Sequence, residues 1–168
     1  MSDFDHVEHA VLRRLVAYWL DIRGARRMPS RRDIDPVEIP WALPYVWLTD
    51  YLPNEDKFRY RLAGEDVNAV FGRSLAGASL DDIVLPQDRD AVHALYRRVL
   101  SDPAILYTSG HVYLASDKPA LGERIALPLA TGGDVADGMF GATIYELRSM
   151  DSVTEDIVGR HDAVFTPI

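Results

Sequence analysis

Between residues 7 and 22 the apolar positions Val7, Val11, Leu12, Leu15, Val16, Trp19 and Ile22 fall three or four apart, while Glu8, Arg13, Arg14 and Asp21 take the other side. That spacing predicts an amphipathic helix. Asp5, with Glu8 three residues on, has the form of a capping box, and Gly24 marks the helix end. Prolines at 29, 36, 40 and 44 fix their own backbone and push the preceding residues out of the helical region. Residues 25–44 therefore read as an extended or one-turn connector, with Trp41 at the edge of the core.

The period then changes from helical to two. YVWLTDY (45–51) and KFRYRLA (57–63) read as strands joined by the PNED turn, an antiparallel hairpin that sets Phe58, Tyr60 and Leu62 on one face. Gly64, Gly72 and Gly77 punctuate short helices that turn Val67, Val70, Phe71, Leu75, Leu80 and Ile83 inward. A longer helix spans 87–100, entered by Pro86 and left before Pro103, with Ala91, Val92, Leu95, Tyr96 and Val99 as its inner stripe. Three more strands follow at 104–115, 123–130 and 138–147. Pro128 cannot donate to a ladder, so its position predicts an edge or a bulge. The tail reads as a short helix and an extended end. The layout is an N-terminal helix (1–24), a Pro/Arg-rich connector (25–44), a core (45–147) and a C-terminal tail (148–168).

With 168 residues, 48% apolar and 26% charged, the chain suits one soluble domain whose core needs no crosslink. Cysteine is absent. Disulfides, thiolate nucleophiles, thiolate metal sites and cysteinyl cofactor adducts are thereby excluded. The net charge of -8 favours solubility and opposes nonspecific binding to nucleic acid or anionic membrane. Against that balance, Arg23, Arg26, Arg27, Arg31 and Arg32 lie together with no acid between them. Such a run is read first as a solvated junction paired with the chain's own carboxylates, and second as a seat for an acidic partner. The opening MSDFDHVEHA lacks the basic start of a signal peptide, and no apolar run approaches the roughly 20 residues of a membrane span, so a cytoplasmic location is expected.

The order of elements, together with LPYVWLTD, FRYRLAGEDVNAVFGRSLAG, LDDIV, PQDRDAVHALYRRV, GERIALPLA and GMFGATIYEL, resembles the single-domain PAS proteins of alphaproteobacteria over roughly residues 8–147. RLAG followed by FGRSLAG is the most specific part. The resemblance implies an α+β fold: a curved five-stranded antiparallel sheet covered by short helices, enclosing a pocket or a plain core. It implies a sensory or interaction module, commonly dimeric, that works with histidine kinases or other signalling proteins. No kinase, cyclase or DNA-binding module is read in these residues, so output is expected to pass through a separate partner. The N-terminal stripe, with Val11, Leu15, Tyr18, Trp19 and Ile22, resembles the segment through which many PAS domains form homodimers. The competing arrangement docks the same stripe on the chain's own sheet.

Candidate chemistry is sparse. Flavin adducts and thioester-linked phenolic chromophores need the missing cysteine. In oxygen-sensing heme PAS proteins the iron-binding histidine lies on the long helix seven residues after its opening proline, a spacing that Pro86 and His93 share. A lone histidine beside an apolar stripe is more often packed, and no cofactor is expected. His6, His9, His111 and His161 form no metal-binding spacing, and no GxSxG elbow occurs. An enzymatic alternative uses an enclosed histidine and acid as a proton-transfer pair, with His93 or His111 as the histidine. The expected ligand-binding set for a small, mostly apolar molecule is Asn68, Phe71, His93, Tyr96, Tyr107, His111 and Phe140. The opposing reading is a dry core filled by Tyr60, Phe71, Tyr96 and Phe140.

Overall fold

The computed structural model describes residues 3–113, 120–147 and 162–168. Helix α1 (Ala10–Arg23) leads into the connector. Strands β1 (Val46–Leu52) and β2 (Lys57–Ala63) form the hairpin, followed by α2 (Glu65–Phe71) and α3 (Arg89–Ser101). Strands β3 (Ala104–Tyr113), β4 (Ala120–Leu129), β5 (Gly138–Leu147) and β6 (Asp162–Pro167) complete the sheet. The spatial order is β2-β1-β5-β4-β3-β6, and all neighbouring pairs are antiparallel. This is the expected α+β fold with one correction, six strands in place of five. The extended end of the tail pairs with β3 as β6. The last residues of the 104–115 strand and the short helix read in the tail lie outside the described residues.

Neighbouring residues of β4 show how the sheet is covered. Side chains alternate along a strand, so Glu123 and Arg124 face opposite ways. The Glu123 carboxylate accepts from His9 N–H at 3.0 Å, fixing the N-terminal segment on what we call the outer face. Arg124 lies on the inner face among the lining residues of α3. Leu12, Leu15, Val16 and Trp19 of α1 are buried in the core, and the Trp19 indole donates to Pro128 O at 3.1 Å. That bond explains the strand proline. Pro128 lies beyond the last residue paired with β3, so its backbone polar side meets an indole donor rather than a ladder. The predicted edge is thus local, within a strand that is otherwise central.

Three local readings are corrected. The cap of α1 is His9, whose Nδ1 accepts from Val11 N–H, because a turn from Phe4 to Val7 uses the residues where Asp5 and Glu8 were expected to cap. Strand β4 starts three residues earlier than the 123–130 expectation, at Ala120. The register of β2 slips between its pairs with Leu48 and Thr49, making Arg61 the extra residue. That bulge turns Leu62 outward to 41% exposure while Phe58 and Tyr60 stay buried. Arg61 itself reaches Asp50 at 2.7 Å.

The connector's arginines behave as a junction. Arg26 pairs with Asp33 and Arg31 with Asp50, each at 2.8 Å. Arg14 lies 4.0 Å over the Trp41 ring, which holds that indole at the core edge. Gly72 ends α2 in the left-handed region, φ 61°, as the reading of terminal glycines required.

Candidate functional site

The inner face of the sheet and the helices over it do not close completely. A cavity of about 220 Å³ remains between α3, the one-turn segment Leu80–Asp82 with the residues after it, and the β3–β4 surface. Its apolar wall comes from Leu80, Ile83 and Val84 on one side, Val92 and Leu95 on α3, and Leu106 on β3. The helical period sets this wall: residues 92, 95 and 96 recur at three- and four-residue spacing and face the sheet together. The volume lies below the roughly 300–1,000 Å³ of sites for drug-sized ligands, so it suits a small molecule.

Most polar groups gather on the sheet side. Tyr60, Thr108, His111, Tyr113 and Arg124 line the cavity from the strands, and Tyr96 meets them from α3. Trp47 sets the geometry behind them. Its ring stacks on Tyr96 with centroids 5.9 Å apart, meets Tyr60 edge-on at 6.1 Å, and donates from Nε1 to Thr143 Oγ1 at 3.1 Å. Gly141 makes room for that ring, because a Cβ there would lie 2.1 Å from Trp47 Cζ2. Arg124 shares the same hydroxyl, donating from Nε to Thr143 Oγ1 at 3.1 Å and from Nη2 to Val112 O at 2.5 Å. Its guanidinium carbon lies 4.8 Å from the centre of the Tyr113 ring.

Arg124 has no carboxylate ion pair among the described residues. Burial opposes its charge, while the surrounding tyrosines, which ionise only at high pH, and a hydrogen bond to Tyr113 oppose its loss, so the net displacement of its pKa is upward. The guanidinium is therefore a permanent cation in this wall. Burial raises the pKa of Tyr60 and Tyr96, so both phenols are neutral near pH 7. Asp88, just before α3, is the one carboxylate among the described lining residues and lies on the helical side.

The seven expected ligand residues divide. Tyr96 and His111 line the cavity, whereas the other five do not. Asn68 is a local staple: its amide donates to Ala63 O at 3.0 Å and accepts from Leu75 N–H at 2.9 Å. Phe71 packs behind the wall, edge-on to Tyr113 at 5.3 Å. Tyr107 lies under the N-terminal segment, 5.4 Å from the His6 ring, where burial and Glu123 push its pKa up to about 12. Phe140 is adjacent to Gly141, which faces Trp47, so alternation puts Phe140 on the outer face. His93 is buried, with Nε2 2.7 Å from Asp81 Oδ1 and its ring 5.8 Å from Phe58.

That arrangement does not fit the heme alternative. The nitrogen that would face iron is engaged by Asp81, and the cavity is too small to enclose a porphyrin. The same pair does not serve the proton-transfer alternative, because neither His93 nor Asp81 lines the cavity. Their contact, with Arg89 donating to Asp81 O at 2.9 Å, fastens the 80–82 turn to α3. Among the described residues no group of three or more His, Cys, Asp or Glu is placed to hold a metal.

The expected dimer residues also divide. Leu15 and Trp19 are fully buried in the single chain, so the docked alternative accounts for them. Tyr18 accepts from Asp35 N–H at 2.8 Å, while Val11 and Ile22 stay partly exposed on the helix flanks.

Sequence reasoning missed Arg124, Tyr60, Thr108 and Tyr113 as site residues. For β3, alternation alone would set Tyr107, Ser109, His111 and Tyr113 on one face. Gly110, φ 114°, and a register shift between His111 and Tyr113 break that phase, so Tyr113 joins Leu106 and Thr108 at the cavity. The signal that marks Arg124 is a lone cation in a strand whose following residues, Ile125 to Leu129, are all apolar or proline.

The antiparallel sheet, helices over its inner face and cavity beneath α3 define an α+β architecture with a small internal site. A protein-family model for the PAS domain matches residues 7–144, and the chain belongs to that family. It is therefore a sensory or interaction module of the PAS class. No curated protein and no solved structure matches the chain. Among the described residues no helix is long and apolar enough to cross a membrane.

Proposed function

We propose that this PAS domain is a non-enzymatic sensor that takes a small, mostly apolar molecule into the cavity beneath α3 and passes its occupancy to a separate signalling protein, such as a histidine kinase. The observation that carries this reading is the cavity itself, with an apolar wall on the helical side and most polar groups converging on the sheet side.

Helix α3 supplies a route from ligand to surface. Val92, Leu95 and Tyr96 line the cavity. The next residues face other elements: Arg97 pairs with Asp56 at 2.5 Å, and Arg98 lies 3.9 Å over the Phe165 ring of β6. A molecule wedged against the inner residues shifts α3 and with it both surface contacts. Its differential affinity for the two positions of the helix sets how far the equilibrium moves.

Native mass spectrometry of protein purified without denaturation tests the proposal. The expected spectrum contains the chain plus a small non-covalent companion, which disappears in Leu95→Trp, where the indole fills the cavity. A companion retained by that folded variant, or the bare chain mass in every preparation, contradicts it.

A further inference from the structure

We infer that the ligand carries an anionic head, a carboxylate on a short apolar tail, seated against Arg124. This rests on the cavity reading above and adds the chemical class of what enters.

Charge along the cavity wall is unevenly matched. Arg124 is on the inner face of a central strand, partly buried, and lines the cavity. The structure gives it the Thr143 hydroxyl, a backbone carbonyl, the face of the Tyr113 ring and the neighbouring phenols of Tyr113 and Tyr96, all of them uncharged. These satisfy donors but do not neutralise a cation; among the described residues no carboxylate is ion-paired with Arg124, and a part-buried charge without a counter-charge gains from an incoming anion. A planar guanidinium matches a carboxylate in both charge and shape. The two contacts from Nε and Nη2 fix its plane before any ligand arrives, which lowers the ordering cost of binding.

A second observation points the same way. His111 lines the cavity and is 4% exposed, and neither of its ring nitrogens has a hydrogen-bond partner among the described residues. Buried polar groups are rarely left unpaired, so the imidazole is a free donor for a second ligand oxygen. The rest of the wall specifies the tail. Val84, Val92, Leu95 and Leu106 offer no partner to a second charged group, and Asp88 on the helical side disfavours one that is negative. A monocarboxylate of roughly six to ten carbons meets all of these conditions within the small volume.

The test is calorimetry on the full chain with hexanoate, octanoate and decanoate, against octan-1-ol and octylamine as head-group controls. Octanoate is expected to bind saturably and at least about tenfold more tightly than octan-1-ol, with octylamine weakest, since a hydrogen-bonded ion pair outweighs a neutral bond by that order. Arg124→Gln is expected to weaken octanoate on the order of 10- to 100-fold and to leave octan-1-ol nearly unchanged. The head-group comparison on the unaltered protein decides the matter even where the variant does not fold. Equal affinity for octanoate and octan-1-ol overturns the anionic head and leaves the cavity reading intact. Absence of saturable binding by any of the five compounds overturns both. Octanoate affinity unchanged in a folded Arg124→Gln protein also overturns the assignment.

Discussion

Gly141→Ala is the sharpest test of how the cavity wall is built. The added Cβ falls 2.1 Å from Trp47 Cζ2, inside contact distance, and Trp47 is 1% exposed, so the ring has no solvent to retreat into. It must tilt away from β5. Tilting strains the 3.1 Å bond to Thr143 and slides the indole off Tyr96. Overpacking of a core typically costs about 1–3 kcal/mol, and loss of the indole bond adds about 1 kcal/mol. At about 2–4 °C per kcal/mol for a domain of this size, the melting temperature falls by roughly 5–15 °C. Thermal denaturation followed by circular dichroism reads this directly. Octanoate affinity falls as well, because Thr143 also positions Arg124. A variant that melts within about 2 °C of the parent, judged against that scale, would show that the Trp47 ring is not held as described.

The outer face and the caps give two further expectations. Trp19→Ala removes a fully buried ring and its bond to Pro128, and costs about 3–5 kcal/mol in urea denaturation without altering the mass seen by sedimentation; a changed mass with unaltered stability would place Trp19 in an intermolecular seam instead. Backbone hydrogen bonds from Ser30 and Ser79 lower the pKa values of Asp33 and Asp82, and hydrogen bonds from Arg97 and Tyr51 lower that of Asp56. Groups depressed in the folded state contribute stability that is fully present above their unfolded value near pH 3.9 and is lost as pH falls through the folded values. The melting temperature should therefore be flat above about pH 5 and decline below about pH 4, and Asp82→Asn should make that decline shallower; an unchanged slope would refute the assignment.

Much of the fold was legible because hydrophobic period survives in single elements. The α1 stripe, the β1–β2 hairpin and the α3 stripe each announce their type locally, and the glycine ending α2 takes the backbone its position requires. What escaped depends on single-residue slips and on partners far along the chain. One bulge at Arg61 reverses Leu62, and another near His111 reverses Tyr113, since a shift of one residue exchanges the faces of a strand. Strand β6 carries little pattern of its own and is recruited by β3 more than fifty residues earlier.

The site was harder to read for the same reasons. Tyr96 follows from the helical phase of α3, and His111 and Phe140 from strand phase, but phase does not say which apolar face looks at α3, because both faces of this sheet are covered. His93 has the position of a ligand and the environment of a clasp, and only the distance to Asp81 separates the two. Arg124 looks in sequence like a solvent-facing strand residue. Its meaning lies in three tyrosines brought from β2, α3 and β3.

The most direct measurement is a methyl-resolved NMR titration of the protein with octanoate. The account predicts saturable shifts at Leu80, Ile83, Val92, Leu95 and Leu106, which line the cavity, while Leu12, Leu15 and Val16 beneath α1 on the opposite face stay in place. Shifts confined to the α1 face, or none at the cavity methyls at saturating octanoate, would contradict it.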